Sequence, residues 1–429
     1  MNPDRLRILF VSLYPASPPR YGGQRRLEGL MKALAQRHEI SAAALASPDL
    51  DPAASKRAML EYCREVALVP SRPWEGAGKR LLQARSLFSR RSFENGFYAL
   101  PAFQRALDEL LTRKSYDVVN VSAGLFLTQY HLRQAPPGNP LPRLLLDEHN
   151  VEFDVQRQMA GAGHIVRRFH NSVNWPKLQR EEVEAWRSFD AVTFTSAHDE
   201  LRARAFVPSL RSAVIPNAVD IRYFRSRPDD PSPDGRTVLF FGAINYYPNL
   251  DGLLFFLRDV WPRVAESHPK ARLRIVGQHP TPEILAWQGA RIEVAGAVDD
   301  LRPHLAGAAV IIAPLRVGGG TRFKILEAMA MAKPVVSTTI GAEGIDATSG
   351  RNILIADTPG DFAAAVGKAL DDPGLGRQLG QEGRALVEGG YSWEAVAQKL
   401  EVFLGRVPAP GATSAGPSSP STDRRSSRE

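Results

Sequence analysis

A polar, proline-rich connector, Arg225-Ser-Arg-Pro-Asp-Asp-Pro-Ser-Pro-Asp-Gly235, interrupts a repeating pattern of short apolar runs and helical stretches, and the pattern restarts on its far side. Before it, the run Leu6 to Ser12 leads into a Pro- and Gly-rich loop, Tyr14 to Gly23, and then into a helical pattern from Gln24 to Arg37. Further runs predict strands at 39–46, 66–70, 117–121, 144–147, 191–195 and 213–215, and beyond the connector at 237–241, 272–276, 292–295, 310–313, 334–337 and 353–355. Apolar runs without alternation, separated by helices, are strands buried on both faces of a parallel sheet.

The expectation is therefore an α/β chain of two successive doubly wound domains. The first covers residues 1–225 and the second 226–390, followed by a closing helix at 391–407. A tail at 408–429, rich in Ser, Pro, Gly and Arg and without apolar periodicity, reads as disordered. A length of 429 residues exceeds what one core usually organises, which agrees with two.

Composition excludes several classes. No apolar run reaches the roughly eighteen residues of a membrane span, and the charged start, Met1 to Arg7, is unlike a signal peptide, so a cytoplasmic protein is expected. The single cysteine, Cys63, reads as a core residue. The histidines lack metal-ligand spacing, so no metal and no cofactor are expected. Up to residue 230 there are 33 Lys and Arg against 25 Asp and Glu, with 21 of each after it. The basic excess of the first half suits an anionic partner, yet interleaved aromatics and nucleic-acid modules are missing, so nucleic acid is not expected. A dehydrogenase is disfavoured because no Gly-x-Gly-x-x-Gly follows the first strand.

The most informative stretch is Pro314-Leu-Arg-Val-Gly-Gly-Gly-Thr-Arg-Phe-Lys-Ile-Leu-Glu-Ala-Met-Ala-Met-Ala-Lys-Pro334. A strand end, three glycines and Thr321 as expected N-cap describe a phosphate-binding helix start. Arg322 and Lys324 then sit where the helix dipole disfavours cations, which calls for an anion nearby. Glu327, one turn on from Lys324, is placed to accept the hydroxyls of a ribose.

This stretch resembles the signature of the family-four (group 1) retaining glycosyltransferases. Fragments in matching order are Gly22-Gly23, Ile215-Pro-Asn-Ala-Val-Asp220, Phe240-Phe-Gly-Ala-Ile-Asn245, Val276-Gly277, Gly296-Ala-Val-Asp-Asp-Leu301, Gly341-Ala-Glu-Gly344 and Tyr391-Ser-Trp393, so the likeness runs from residue 6 to about 405. It implies a GT-B architecture, two Rossmann-like doubly wound domains facing a cleft, whose second domain holds a nucleotide-sugar donor. Glu327 would contact the ribose, the backbone at Gly320 and Thr321 would approach the phosphates, and Gly22-Gly23 would meet the diphosphate from the other side.

Two departures stand out. A glutamate common in the family eight positions before Glu327 is replaced by Gly319, and the family's Arg and Lys are missing from Ala243-Ile-Asn-Tyr-Tyr-Pro-Asn249. Arg316, Arg322 and Lys324 are expected to neutralise the diphosphate instead. In Leu144-Leu-Leu-Asp-Glu-His-Asn150, just past a strand end, His149 matches by resemblance a histidine near the reacting sugar, able to donate to a sugar hydroxyl or stabilise developing charge. Lys79 to Arg91 holds five cations with apolar residues at helical spacing, and reads as a peripheral contact with the inner face of a membrane.

The function expected is transfer of a sugar from a nucleotide-sugar to a cell-envelope, polysaccharide or lipid-linked glycan acceptor, with retention. The alternatives are a nucleotide-sugar epimerase on the same fold and a non-catalytic protein that binds anionic ligands.

Overall fold

The computed structural model describes residues 5–73, 76–122, 124–160, 165–318 and 320–409. The expectations placed on Gly319 and on the tail from residue 410 lie outside them.

Before the connector, seven strands form one sheet. They are β1 Arg7–Ser12, β2 Glu39–Ala46, β3 Glu65–Pro70, β4 Val118–Ser122, β5 Arg143–Glu148, β6 Ala191–Phe194 and β7 Ser212–Val214, in the spatial order β3-β2-β1-β4-β5-β6-β7. After it, β8 Thr237–Phe241, β9 Arg272–Val276, β10 Ile292–Gly296, β11 Val310–Ala313, β12 Val335–Ser337 and β13 Leu354–Ile355 form a second sheet, ordered β10-β9-β8-β11-β12-β13. Every strand pair in both sheets is parallel. Parallel neighbours require crossovers, and the intervening helices supply them on both faces.

The strands are buried on both sides, as their unbroken apolar runs demand. In β1, Leu9 and Val11 join the core with Phe103, Leu107 and Trp186, while Ile8 and Phe10 point to the opposite core with Leu27, Leu30 and Met31. The second sheet repeats this, with Val238 and Phe240 on one face and Leu239 and Phe241 on the other.

Strand order reverses between β1 and β4 in the first sheet and between β8 and β11 in the second. In open α/β sheets ligands bind at the carboxyl ends of strands at such a reversal. The segments there are Leu13–Tyr21 after β1 in one domain and Gly242–Tyr246 after β8 in the other, and past β11 Thr321 reaches the first domain at Thr195.

The last helix, Trp393–Leu404, does not stay with the second sheet. Its Val396, Ala397, Leu400 and Leu404 pack into the first-domain core beside Leu27, Leu30 and Leu34. Arg143 Nη1 donates to Leu404 O at 2.8 Å, fixing its end. The helix thereby ties the two domains together from the back.

Candidate functional site

From β11 the chain runs through the glycine loop into the helix Phe323–Ala330. Gly318 and Gly320 have φ of 114° and 73°, left-handed values that favour glycine. At Gly320 a Cβ would stand 2.8 Å from Thr195 Oγ1 and 3.1 Å from the His149 carbonyl, so the bare backbone lets this loop touch the first domain. Thr321 corrects the sequence reading. It does not cap the helix, because Arg322 is the N-cap residue and makes no side-chain cap bond. The Thr321 hydroxyl instead donates across the cleft to Thr195 O at 2.7 Å, a pairing of residues far apart in the chain that local helix signals do not encode.

Glu327 is 4% exposed, and burial raises its pKa against the opposing charges of Arg25 and Lys324. Arg25 Nη1 of the first domain reaches its Oε1 at 2.5 Å. Both residues line a pocket of ≈ 620 Å³ between the domains, together with Gly29, Val298, Asp299, Leu301 and Trp393. Its lining combines apolar residues such as Val298 and Leu301 with charged ones, Glu327 among them.

Lys324 is half-buried, with its Nζ donating to Asn249 Oδ1 at 2.8 Å and lying 4.1 Å from the centroid of the Phe240 ring. A Cβ on Gly242 (φ 139°) would stand 3.3 Å from that ammonium, so the β8 loop also closes on it. Burial, with Arg322 adding to it, lowers the Lys324 pKa to about 7. An enclosed ammonium with so few acceptors is a site for an anion.

The other two expected cations are arranged differently. Arg316 grips Asp251 through two bonds, Nε to Oδ2 at 3.0 Å and Nη2 to Oδ1 at 2.7 Å, over the Phe255 ring. It borders a second interdomain pocket of ≈ 460 Å³ with Asp154, His198, Arg202 and Glu343, a pocket whose lining does not include Glu327. The Arg322 guanidinium is tucked under Gly318. Burial lowers its pKa, opposed by Tyr246, Glu343 and Asp199. Arg322 thus acts on Lys324, whereas Arg316 is held by Asp251.

On the first-domain wall, His149 follows β5. Its Nε2 lies 3.1 Å from Ser122 Oγ and 3.3 Å from Asp147 Oδ2. Ser122 Oγ donates to Asp147 at 2.8 Å, so the imidazole proton sits on Nε2 and Nδ1 is left as an acceptor. Burial lowers the His149 pKa against the pull of Asp147, which keeps the ring neutral. The histidine thus offers a lone pair at Nδ1, rather than the donor the sequence suggested.

Asp147 is itself held by a fully buried arginine. Arg26 donates through Nη2 to Oδ1 at 2.6 Å and through Nε to Oδ2 at 3.2 Å. Burial pushes the Asp147 carboxyl up, but Arg26 and His149 outweigh it and hold the pKa well below the ordinary carboxylate range. Arg26 Nη1 also donates to Pro216 O at 3.0 Å and Asn217 Oδ1 at 3.3 Å, and Asn217 Nδ2 donates to Thr321 O at 2.8 Å. One polar chain therefore runs from His149 through Asp147, Arg26 and Asn217 to the glycine loop.

Gly22 and Gly23 open the helix Gly22–Ala35. A Cβ on Gly22 would touch the Phe323 ring at 3.3 Å, and one on Gly23 would collide with the Tyr14 hydroxyl and approach His149 Nδ1 to 3.5 Å. The pair is needed so that this helix start can pack against the second domain and the histidine. Sequence reasoning missed Arg25, Arg26, Asn217 and Asn249. The signal available was the Arg25-Arg26 doublet directly behind the glycines, in a helix with no acidic residue in its first turn.

Residues 235–372, which carry the glycine loop and Glu327, match the family model described as glycosyl transferases group 1. The match covers about a third of the chain. The chain is 32% identical over 138 residues to an uncharacterised 44.6 kDa protein in the cps region of Klebsiella pneumoniae, covering 30% of this chain and 36% of that protein. It is 27% identical over 308 residues to the GDP-mannose-dependent alpha-(1-6)-phosphatidylinositol monomannoside mannosyltransferase of Mycobacterium tuberculosis, covering 61% of this chain and 78% of that enzyme. A glycogen synthase of the same organism aligns over 57% of its length, so with the Klebsiella protein the match spans between about a third and just over half of these relatives.

Among solved structures, Anabaena HepE in complex with UDP matches with a TM-score of 0.62 at 15% identity, over 93% of this chain and 100% of that one. The sucrose-phosphate synthase of Thermosynechococcus elongatus gives 0.65 at 17%, over 93% and 98%. The shared fold is GT-B, two parallel-sheet domains facing a cleft.

Proposed function

We propose that this chain is a group 1 glycosyltransferase that moves a sugar from a nucleotide-sugar to a glycan or lipid-linked acceptor, with retention of configuration. The carrying observation is Glu327, buried in the lining of the interdomain pocket and placed one turn behind a glycine loop. Its carboxylate accepts the ribose hydroxyls, the apolar walls at Val298 and Leu301 take the base, and Lys324 neutralises the diphosphate. The similarity to a GDP-mannose-dependent mannosyltransferase and the fold shared with UDP-bound HepE support a nucleotide-sugar donor.

In the reaction the bond between the anomeric carbon and the diphosphate oxygen breaks and an acceptor hydroxyl adds on the same face. The leaving diphosphate takes the hydroxyl proton. Neutral His149 holds the donor sugar by accepting from one of its hydroxyls at Nδ1. Thermal shift of the purified chain with a panel of UDP-, GDP- and ADP-sugars tests donor use, with stabilisation by one nucleotide class expected. Absence of any shift across the panel overturns the reading. The anomeric coupling of the product, read by proton NMR, tests retention, and an inverted product refutes the same-face route.

The basic stretch Lys79 to Arg91 supports placing this activity at a membrane surface. It forms the helix Ala77–Leu87, ending in Phe88, which is 93% exposed, with Leu81 at 60%. Apolar tips among Arg80, Arg85 and Arg90 are what an anionic bilayer surface binds. Among the described residues no helix is long and apolar enough to cross a membrane.

A further inference from the structure

The charged side chains that line the pocket around Glu327 are matched among themselves, with one exception. Arg25 meets Glu327, Lys32 Nζ lies 2.9 Å from Glu28 Oε1, and Arg222 Nη2 lies 3.2 Å from Glu394 Oε1. Asp220 Oδ1 accepts the backbone N–H groups of Arg222 and Tyr223, both at 2.9 Å. The exception is Asp299, an exposed residue set between the apolar Val298 and Leu301 of the same lining. Among the described residues its carboxylate has no hydrogen-bond or ion-pair partner. Its neighbour Asp300 is taken by Arg302 at 2.8 Å and Arg227 at 3.5 Å, so one carboxylate of the doublet is tied to the loop and the other is left to the pocket.

The sheet sets Asp299 at the reach of a nucleotide base. The glycine loop follows β11 and residues 298–301 follow β10, and in the order β10-β9-β8-β11 these ends are three strands apart, about 14 Å at ~4.8 Å per strand. An extended nucleoside diphosphate covers such a span, in the order phosphate, ribose, base. With phosphate at the glycine loop and ribose at Glu327, the base comes to the end of β10, where Val298 and Leu301 flank Asp299. An unpaired carboxylate at that place discriminates between bases, because it only accepts hydrogen bonds. Guanine carries N1–H and the 2-amino group side by side, two donors that match the two carboxylate oxygens. Uracil offers one N–H between two carbonyl oxygens, and adenine one amino group beside a bare ring nitrogen, so each brings acceptors against the negative charge.

We infer that Asp299 determines the base specificity of the donor site and that the donor is a guanosine diphosphate sugar, with both Asp299 oxygens bonded to the guanine edge. This rests on the transferase reading above and names the nucleotide class it leaves open. No contact within the chain has to break for these bonds to form, whereas Glu327 shares its carboxylate between Arg25 and the ribose.

Titration calorimetry on the full chain tests this with GDP, IDP, UDP and ADP. IDP keeps the N1–H of guanine and lacks the 2-amino group, so it isolates one of the two bonds. GDP should bind most tightly, with IDP weaker by about tenfold, as for loss of one hydrogen bond to a charged group. Asp299→Ala should weaken GDP binding by about tenfold to a hundredfold, bring GDP and IDP level, and leave UDP and ADP unchanged. Asp299→Asn keeps the size of the side chain and loses one acceptor, so it should not restore the preference. An unchanged melting temperature shows that the variants are folded. If UDP or ADP binds as tightly as GDP, if IDP equals GDP in the parent, or if Asp299→Ala binds GDP like the parent, the guanine reading is overturned, while the transferase reading stands on a loss of that nucleotide binding in Glu327→Ala. If none of the four binds, both fall.

Discussion

Arg25 and Glu327, 302 residues apart, form an ion pair of 2.5 Å across the interdomain cleft. Burial raises the Glu327 pKa and Arg25 is the first charge to pull it back. The arginine therefore keeps the carboxylate in the ionised form that accepts ribose hydroxyls best. Glu327→Ala should weaken nucleoside diphosphate binding by about 1.5–3 kcal/mol. Arg25→Ala should lift the Glu327 pKa further, so that affinity is lost at neutral pH and recovers as pH rises and the carboxyl ionises. Calorimetry across pH checks both, and a pH-independent loss in Arg25→Ala would show that the arginine acts otherwise.

Lys324 should register the diphosphate as a proton. With its pKa brought down to about 7 by burial, the free protein at pH 8 holds it mostly neutral, and phosphate charge nearby favours the ammonium. Binding of a nucleoside diphosphate at pH 8 should take up a fraction of a proton, and affinity should fall as pH rises above 7. Calorimetry in two buffers of different ionisation enthalpy measures the uptake, which Lys324→Gln should abolish. Equal heats in the two buffers would remove Lys324 from the phosphate site.

Arg26 and Asp147 should matter for stability. The Asp147 pKa is depressed in the fold, so the stability it contributes is present above the ordinary carboxylate pKa and is lost as pH falls through the folded value. Arg26→Ala leaves that carboxylate buried without its partner, at a cost of about 3–5 kcal/mol. Urea unfolding at pH 7 should show the loss, and the gap between variant and parent should narrow in acid. A gap that stays constant with pH would mean that Arg26 acts by packing alone.

The places of the strands along the chain were legible because each strand is an unbroken apolar run, and burial on both faces writes itself into consecutive residues. Glu327 was legible because glycine loop, helix start and carboxylate lie within ten residues. What was not legible depends on partners distant in the chain. Arg25 and Arg26 are neighbours in one helix, yet one meets Glu327 and the other Asp147. Arg316 was grouped with Lys324 by sequence proximity, but Asp251 holds it elsewhere. Thr321 satisfied every local criterion for a cap, and the interdomain bond to Thr195 won. Membership of a helix start was readable, and the contact made across the cleft was not.

The helix Ala77–Leu87 should bind anionic vesicles reversibly and with salt sensitivity. Each cation near such a surface contributes about 1 kcal/mol, and screening over about 8–10 Å weakens the attraction at physiological salt. Arg91 is spoken for in part by Glu184 at 3.5 Å, so Arg80, Arg85 and Arg90 should carry most of the effect. Sedimentation with neutral and anionic lipids at low and high salt is the assay. Replacing those three arginines should abolish binding, as Phe88→Ser should weaken it. A chain that ignores anionic vesicles at low salt has no such attachment.

The central claim is tested most directly by turnover. Purified chain incubated with individual UDP-, GDP- and ADP-sugars, with and without a neutral glycoside acceptor, should release nucleoside diphosphate from one donor class, faster when acceptor is present. Glu327→Ala should reduce the rate at limiting donor by about tenfold or more, matching the expected loss in binding. Cleavage that is indifferent to Glu327, or no cleavage of any nucleotide-sugar by a chain that binds none, would contradict the account.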